Sequence, residues 1–179
     1  MKPSRPEVVA RLRALVRDIP DFPKKGILFR DITPLLADAQ ALHEVAEELS
    51  APFREARVQR VLGVESRGFI LGALVAHRLG AGFVPVRKAG KLPAERIAQS
   101  YALEYGEDRL EVHRDALHAR ERVLVVDDLL ATGGTAAATV ALARRLDAEV
   151  VACAFLIELG PLGGRERLQG VDILSLIRY

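Results

Sequence analysis

Residues 123–135 read VLVVDDLLATGGT, an apolar run, two aspartates and a glycine-rich turn, and the helix-forming stretch AAATVALARRL follows. The pattern predicts a buried strand, an acidic strand end and a helix start. In an open α/β sheet, ligands bind beyond the carboxyl ends of the strands, where Asp127 and Asp128 fall. The backbone N–H groups of Thr132, Gly133, Gly134 and Thr135, together with the dipole of the following helix, make an anion cradle. The turn lacks the GxxxxGK[ST] of nucleotide-triphosphate loops and the GxGxxG of dinucleotide folds. Two carboxylates repel a bare phosphate, so the ligand must also offer hydroxyls or a divalent cation, as a phosphorylated ribose does. A competing account of the same residues has Asp128 or Thr132 capping the helix while the glycines serve close packing.

Outward from this segment, strand and helix alternate. RVLGV, ESRG and FILGALVAHRLG, starting at Arg60, repeat the plan of strand, polar loop and helix. GFVPV, EVVACAFLIEL and VDILSLI are further strands, and their continuous apolar runs predict burial on both faces. The fold class is α/β, a doubly wound, mostly parallel sheet flanked by helices. Before it, PEVVARLRALV places Val8, Val9, Leu12, Leu15 and Val16 at helical spacing, and DIPDFPKKG breaks that helix. A second helix starts at the N-cap Asp38 and runs through Leu42, Val45, Ala46 and Leu49 toward Phe53, with Pro52 ending or kinking it. Residues 88–114 form a long excursion, read as mobile, in which SYALEY and LEVHR have the character of short strands.

Composition limits the function classes. The 179 residues, half of them hydrophobic, suit one domain with a real core. With 26 basic and 24 acidic residues the net charge is +2, so no global field draws the chain to nucleic acid or membrane, and an anion site must be local. The single cysteine, Cys153, allows neither a disulfide framework nor a thiolate metal site and is expected to be a buried small hydrophobe. His43, His77, His113 and His118 are scattered, so no protein-held zinc site is expected. No signal peptide or span of roughly 20 apolar residues is visible, and a cytoplasmic location is expected.

VLVVDDLLATGGT resembles the ribose-phosphate signature of the type I phosphoribosyltransferases. DFPKKGILFRDITPLL, ESRGFILG, RKAGKLP, QSYALEYG and ELGPLGGRERL resemble the adenine phosphoribosyltransferases within that family, so the likeness runs from Ile19 to the C-terminus. It implies a single domain over residues 1–179, with a base-binding hood and helix in about 1–37 and a flexible catalytic loop and hairpin in about 88–114. It implies that Asp127 and Asp128 take the ribose and that residues 131–135 take the 5-phosphate. Glu65, Ser66, Arg67, Arg87, Lys88 and Lys91 would meet pyrophosphate, Arg87 across a homodimer interface. Leu28, Phe29 and Arg30 would hold adenine. Glu104 would handle a purine proton and Tyr105 would serve loop closure. Lys25 departs from the proline that many members carry before the glycine.

Several of these stretches have a second reading from the residues alone. Arg67 also fits a solvent-facing arginine beside an N-cap at Ser66. The RKAGK cations also fit a solvated turn, because like charges at that spacing cost little in water. Tyr101 and Tyr105 also fit packing positions. The implied reaction is transfer of 5-phosphoribosyl from phosphoribosyl pyrophosphate to N9 of adenine, giving AMP and pyrophosphate, with Mg²⁺ carried by the donor rather than by dedicated protein ligands. The rivals are xanthine, hypoxanthine-guanine or orotate transfer, which share the donor half, and a nucleotide-sensing regulator, which would need a DNA-binding region.

Overall fold

The computed structural model describes residues 5–102 and 107–179. Helix α1 (Pro6–Ala14) leads into an antiparallel pair, β1 (Arg17–Pro20) and β2 (Leu28–Asp31). Next come α2 (Thr33–Ala37) and α3 (Ala39–Ser50), then β3 (Arg60–Val64), α4 (Arg67–Leu79) and β4 (Gly82–Lys88). An antiparallel pair, β5 (Arg96–Ala102) and β6 (Glu107–His113), precedes β7 (Arg122–Leu130), α5 (Gly134–Arg145), β8 (Glu149–Glu158) and β9 (Asp172–Arg178).

Seven strands form one sheet in the order β5-β6-β4-β3-β7-β8-β9. The five from β4 to β9 are parallel, and β6 joins antiparallel through Arg87↔Glu111 and Lys88↔Leu110. This is the doubly wound, mostly parallel sheet expected from the apolar runs. Alternate residues of one strand enter opposite cores, which is why those runs lack polar interruptions. Leu124 and Val126 pack with α1, α3 and α4 residues such as Leu12, Leu49 and Leu71, while Val123 and Val125 pack with α5 residues such as Val140 and Leu142. Cys153 lies wholly buried in the second core, where burial pushes its thiol up to about 12.

The N-cap expected at Asp38 is present: its Oδ1 accepts from the Ala41 N–H at 2.7 Å. Regular α3 stops at Ser50, and the chain tightens into a 3-10 turn over Ala51–Ala56 that holds Pro52 and the buried Phe53. Proline cannot donate the bond that another α turn needs, which shortens the helix relative to its apolar pattern.

The topology sets the ligand position. From β3 the chain crosses through α4 to β4 on one side, and from β7 it crosses through α5 to β8 on the other. The neighbours β3 and β7 therefore flank the switch point where their outgoing loops part and leave a crevice.

Candidate active site

A cavity of about 620 Å³ opens at that switch point. Its wall is made by Val64 to Arg67 after β3, by Lys88 and Lys91, by Tyr101, Asp108 and Leu110 of the antiparallel pair, and by residues 127–136. Segments far apart in sequence meet here because β3 and β7 pair directly, Gly63 opposite Val126.

Asp128 is buried at 6 % exposure, whereas Asp127 is half-buried. The Asp128 backbone N–H donates to Asp127 Oδ1 at 2.9 Å. Arg67 Nε stands 2.9 Å from Asp128 Oδ2, yet that oxygen accepts no hydrogen bond among the described residues. Burial, and then the adjacent Asp128 charge, raise the Asp127 carboxyl well above the usual carboxylate range. Burial also raises Asp128, against the pull of Arg67. The start of α4 lies directly on this pair: a Cβ on Gly68 would fall 2.7 Å from Asp127 Oδ1, so only glycine permits the approach.

The glycine turn reaches α5 through Gly133, whose φ of 80° is left-handed, and no side chain caps the helix. The capping account of Asp128 and Thr132 therefore fails, and the first N–H groups of α5 keep no side-chain acceptor. Residues 131–135 line the cavity beside the acid pair. Ser66 occupies the N-cap position of α4 without a side-chain cap and is exposed. The Arg67 side chain is about one-third exposed and faces Asp128 rather than open solvent alone.

The other cations are each held by a carboxylate. Glu65 accepts from Lys91 Nζ at 2.5 Å and from Arg87 Nε at 3.0 Å. Burial opposes its charge, but Lys91 and Arg87 hold Glu65 below the usual range. Lys88 Nζ lies 3.3 Å from Asp108 Oδ2, which accepts from the Tyr101 hydroxyl at 3.1 Å. Asp108 raises Lys88, while burial raises Tyr101. Sequence pattern alone does not single out Asp108, and it assigns Tyr101 no ligand. The strand alternation that puts Asp108, Leu110 and Val112 on one face was the available signal, but only the register of β6 against β4 turns that face to the cavity.

Leu28, Phe29 and Arg30 lie on β2, outside the cavity wall. Phe29 connects to it: the Arg67 guanidinium lies 5.2 Å from its ring centroid, and Phe22 packs edge-on at 5.2 Å. Leu28 is exposed, and Arg30 stacks 3.7 Å over the Tyr179 ring and pairs with Asp18. Arg87 lies beside Glu65 but does not line the cavity. Glu104 and Tyr105 fall outside the described residues.

The site combines hydroxyl-accepting carboxylates, a backbone anion cradle and paired cations, a set suited to a phosphorylated sugar bearing a second anionic group. Comparisons with known proteins agree. The phosphoribosyl transferase domain family matches residues 32–172. The adenine phosphoribosyltransferase of Methylococcus capsulatus is 59% identical over 169 residues, covering 94% of this chain and 99% of the relative. The crystal structure of the enzyme of that name from Rhodothermus marinus has 50% identity and a TM-score of 0.94 over 98% of this chain and 100% of the other. The Saccharomyces cerevisiae adenine phosphoribosyltransferase, complexed with an imino-altritol bisphosphate and adenine, has 37% identity and a TM-score of 0.90, covering 95% and 98%.

Proposed function

The chain belongs to the phosphoribosyl transferase family, and from that membership and the cavity we infer that it transfers 5-phosphoribosyl from phosphoribosyl pyrophosphate to N9 of adenine. The products are AMP and pyrophosphate, and the reaction salvages a purine base. The observation that carries this reading is the convergence of the acid pair, the glycine turn and Arg67 at one crevice, with Phe29 of the hood against that same arginine.

In this reading Asp127 and Asp128 accept hydrogen bonds from the ribose hydroxyls. Residues 131–135 bind the 5-phosphate, a group that does not react, so their binding energy serves positioning. Ser66, Arg67, Lys88 and Lys91 bind the pyrophosphate, with Glu65 and Arg87 orienting them. Leu28, Phe29 and Arg30 hold adenine, Phe29 by stacking. Glu104 handles the purine proton, and Tyr105 closes the loop. The C1–pyrophosphate bond breaks as N9 bonds to C1, and N9 gives up its proton. Positive charge grows on the ribose and negative charge on the leaving group, so carboxylates near one and cations near the other stabilise both.

Mg²⁺ enters with the donor. The oxygen-rich acid pair beside the cradle fits such an ion, which Asp127 and Asp128 would hold through water and donor oxygens. When bound it neutralises charge on the departing pyrophosphate. The working unit in this reading is a cytoplasmic homodimer, with Arg87 at the rim of the site reaching toward the partner subunit.

The test offers each nucleobase with phosphoribosyl pyrophosphate and Mg²⁺ and follows nucleotide formation by mass. Adenine is expected to give AMP and to outcompete the others. Preference for hypoxanthine, guanine, xanthine or orotate overturns the base assignment.

A further inference from the structure

The mechanism leaves unused a buried carboxylate behind the glycine turn that two solvent-accessible arginines hold. Glu158, the last residue of β8, is only 3 % exposed and lies opposite Leu130 in the sheet. Arg165 grips it with both arms, Nε to Oε1 at 2.8 Å and Nη2 to Oε2 at 2.7 Å. Arg178 Nε adds a bond to Oε1 at 3.1 Å, and the Ser175 hydroxyl donates to Oε2 while accepting from Arg165 Nη2 at 3.0 Å. Burial works against the charge on Glu158, but Arg165 and Ser175 hold its carboxyl below the usual range. A fork of this kind fixes direction as well as distance.

The residue before Arg165 touches the anion turn, backbone against backbone. A Cβ on Gly133 would lie 2.4 Å from the Gly164 carbonyl oxygen, and a Cβ on Gly164 would lie 2.3 Å from that of Ala131. No side chain fits between the two segments, so the place of Gly164 sets the place of residues 131–133. Gly164 opens a 3-10 turn that ends at the buried Leu168, and Arg165 is its tie to the sheet.

We propose that Arg165 and Glu158 are positioning residues for the donor's 5-phosphate, holding Gly164 as the backstop that shapes the anion-binding turn. The proposal rests on the reading of residues 131–135 as the 5-phosphate site. It makes PLGGR, a stretch with no ligand contact of its own, part of the donor-binding machinery.

The test measures ribose 5-phosphate and pyrophosphate binding by calorimetry, and KM for donor and adenine, on the intact chain and on Arg165→Met, Arg165→Lys and Glu158→Gln. Displacement of a binding turn by a fraction of an ångström is costly, so Arg165→Met should weaken ribose 5-phosphate and raise donor KM by about tenfold. Pyrophosphate affinity and adenine KM should stay within about twofold, because those groups bind other segments. Arg165→Lys keeps the charge but loses the fork and should fall between; if the methionine variant does not fold, this variant decides. Unchanged ribose 5-phosphate affinity in the folded variants, or an equal fall for all four ligands, overturns the proposal. Thr135→Ala is the separate control: no loss of ribose 5-phosphate binding there removes the 5-phosphate assignment of the turn itself.

Discussion

Asp127 and Asp128, the proposed ribose-binding pair, act against the stability of the fold that holds them. Their carboxyls are raised by burial, so the folded protein binds more protons than the unfolded chain as pH rises from the ordinary carboxylate value to the raised one. Ionising them therefore costs stability, a cost that builds as pH rises above the ordinary carboxylate value and is complete once pH passes the raised one. Hydroxyl donors from a ribose favour the ionised form, so donor binding on the acid side should release protons. Calorimetry in two buffers of different ionisation enthalpy should give buffer-dependent heats for the parent protein and much smaller ones for Asp127→Asn. The same variant should melt a few degrees higher without ligand and lose about 10² in kcat/KM. A lower melting temperature with intact turnover would remove Asp127 from the site. The acid pair was legible in the sequence because its types and spacing are themselves the chemistry. Asp108 was not, because its meaning depends on a cross-strand neighbour.

The hairpin β1–β2, the proposed hood, is a small element held by cross-strand ion pairs and by contacts to its neighbours rather than by a core of its own. Arg17 and Thr33 bind Asp31, and the Thr33 backbone N–H, Arg17 and the Thr33 hydroxyl lower its carboxyl to about 2. That contribution is complete above the ordinary value of 3.8 and is lost as pH falls toward 2. The other anchor is Tyr179, whose ring lies 3.7 Å from Arg30 and 4.6 Å from Arg13. Tyr179→Ala should loosen the hood and raise adenine KM by about tenfold while leaving ribose 5-phosphate affinity alone. Equal KM for adenine in parent and variant would show that the hood needs no such anchor. Elements of this kind mark the limit of sequence reading. The helices α1, α3, α4 and α5 and the parallel strands follow from their apolar patterns, and the Asp38 cap from its residue type, whereas β1, β2 and α2 carry no such pattern. The end of α3 at Ser50 agrees with Pro52 as the residue that stops the helix, whereas the docking of Arg30 on Tyr179 follows from distant neighbours that no local pattern shows.

Across the whole molecule, alternation of strand and helix gave the doubly wound class, but the adjacency of β3 and β7 is a property of the sheet order alone. That adjacency brings ESRG to DDLLATGGT, which resemblance linked and local pattern did not. It also balances the crevice: among the described residues, Arg67, Arg87, Lys88 and Lys91 face Asp128, Glu65 and Asp108, with Asp127 alongside. Asp108→Asn should free Lys88 and tighten pyrophosphate, the leaving group, by several-fold, with a steeper dependence on salt. Product inhibition by pyrophosphate is the measurement, and an unchanged inhibition constant at low salt would rule the Asp108 charge out as a counterweight.

A crevice whose cations are already paired behaves as a filter. At the paired cations a small anion such as free phosphate gains little, since each bond it makes there must replace one the protein already has. A molecule long enough to engage the turn, the acid pair and the cations together is repaid at several points for a single loss of freedom. The resting ion pairs thus favour a ligand that spans the crevice over a small anion at the cations alone.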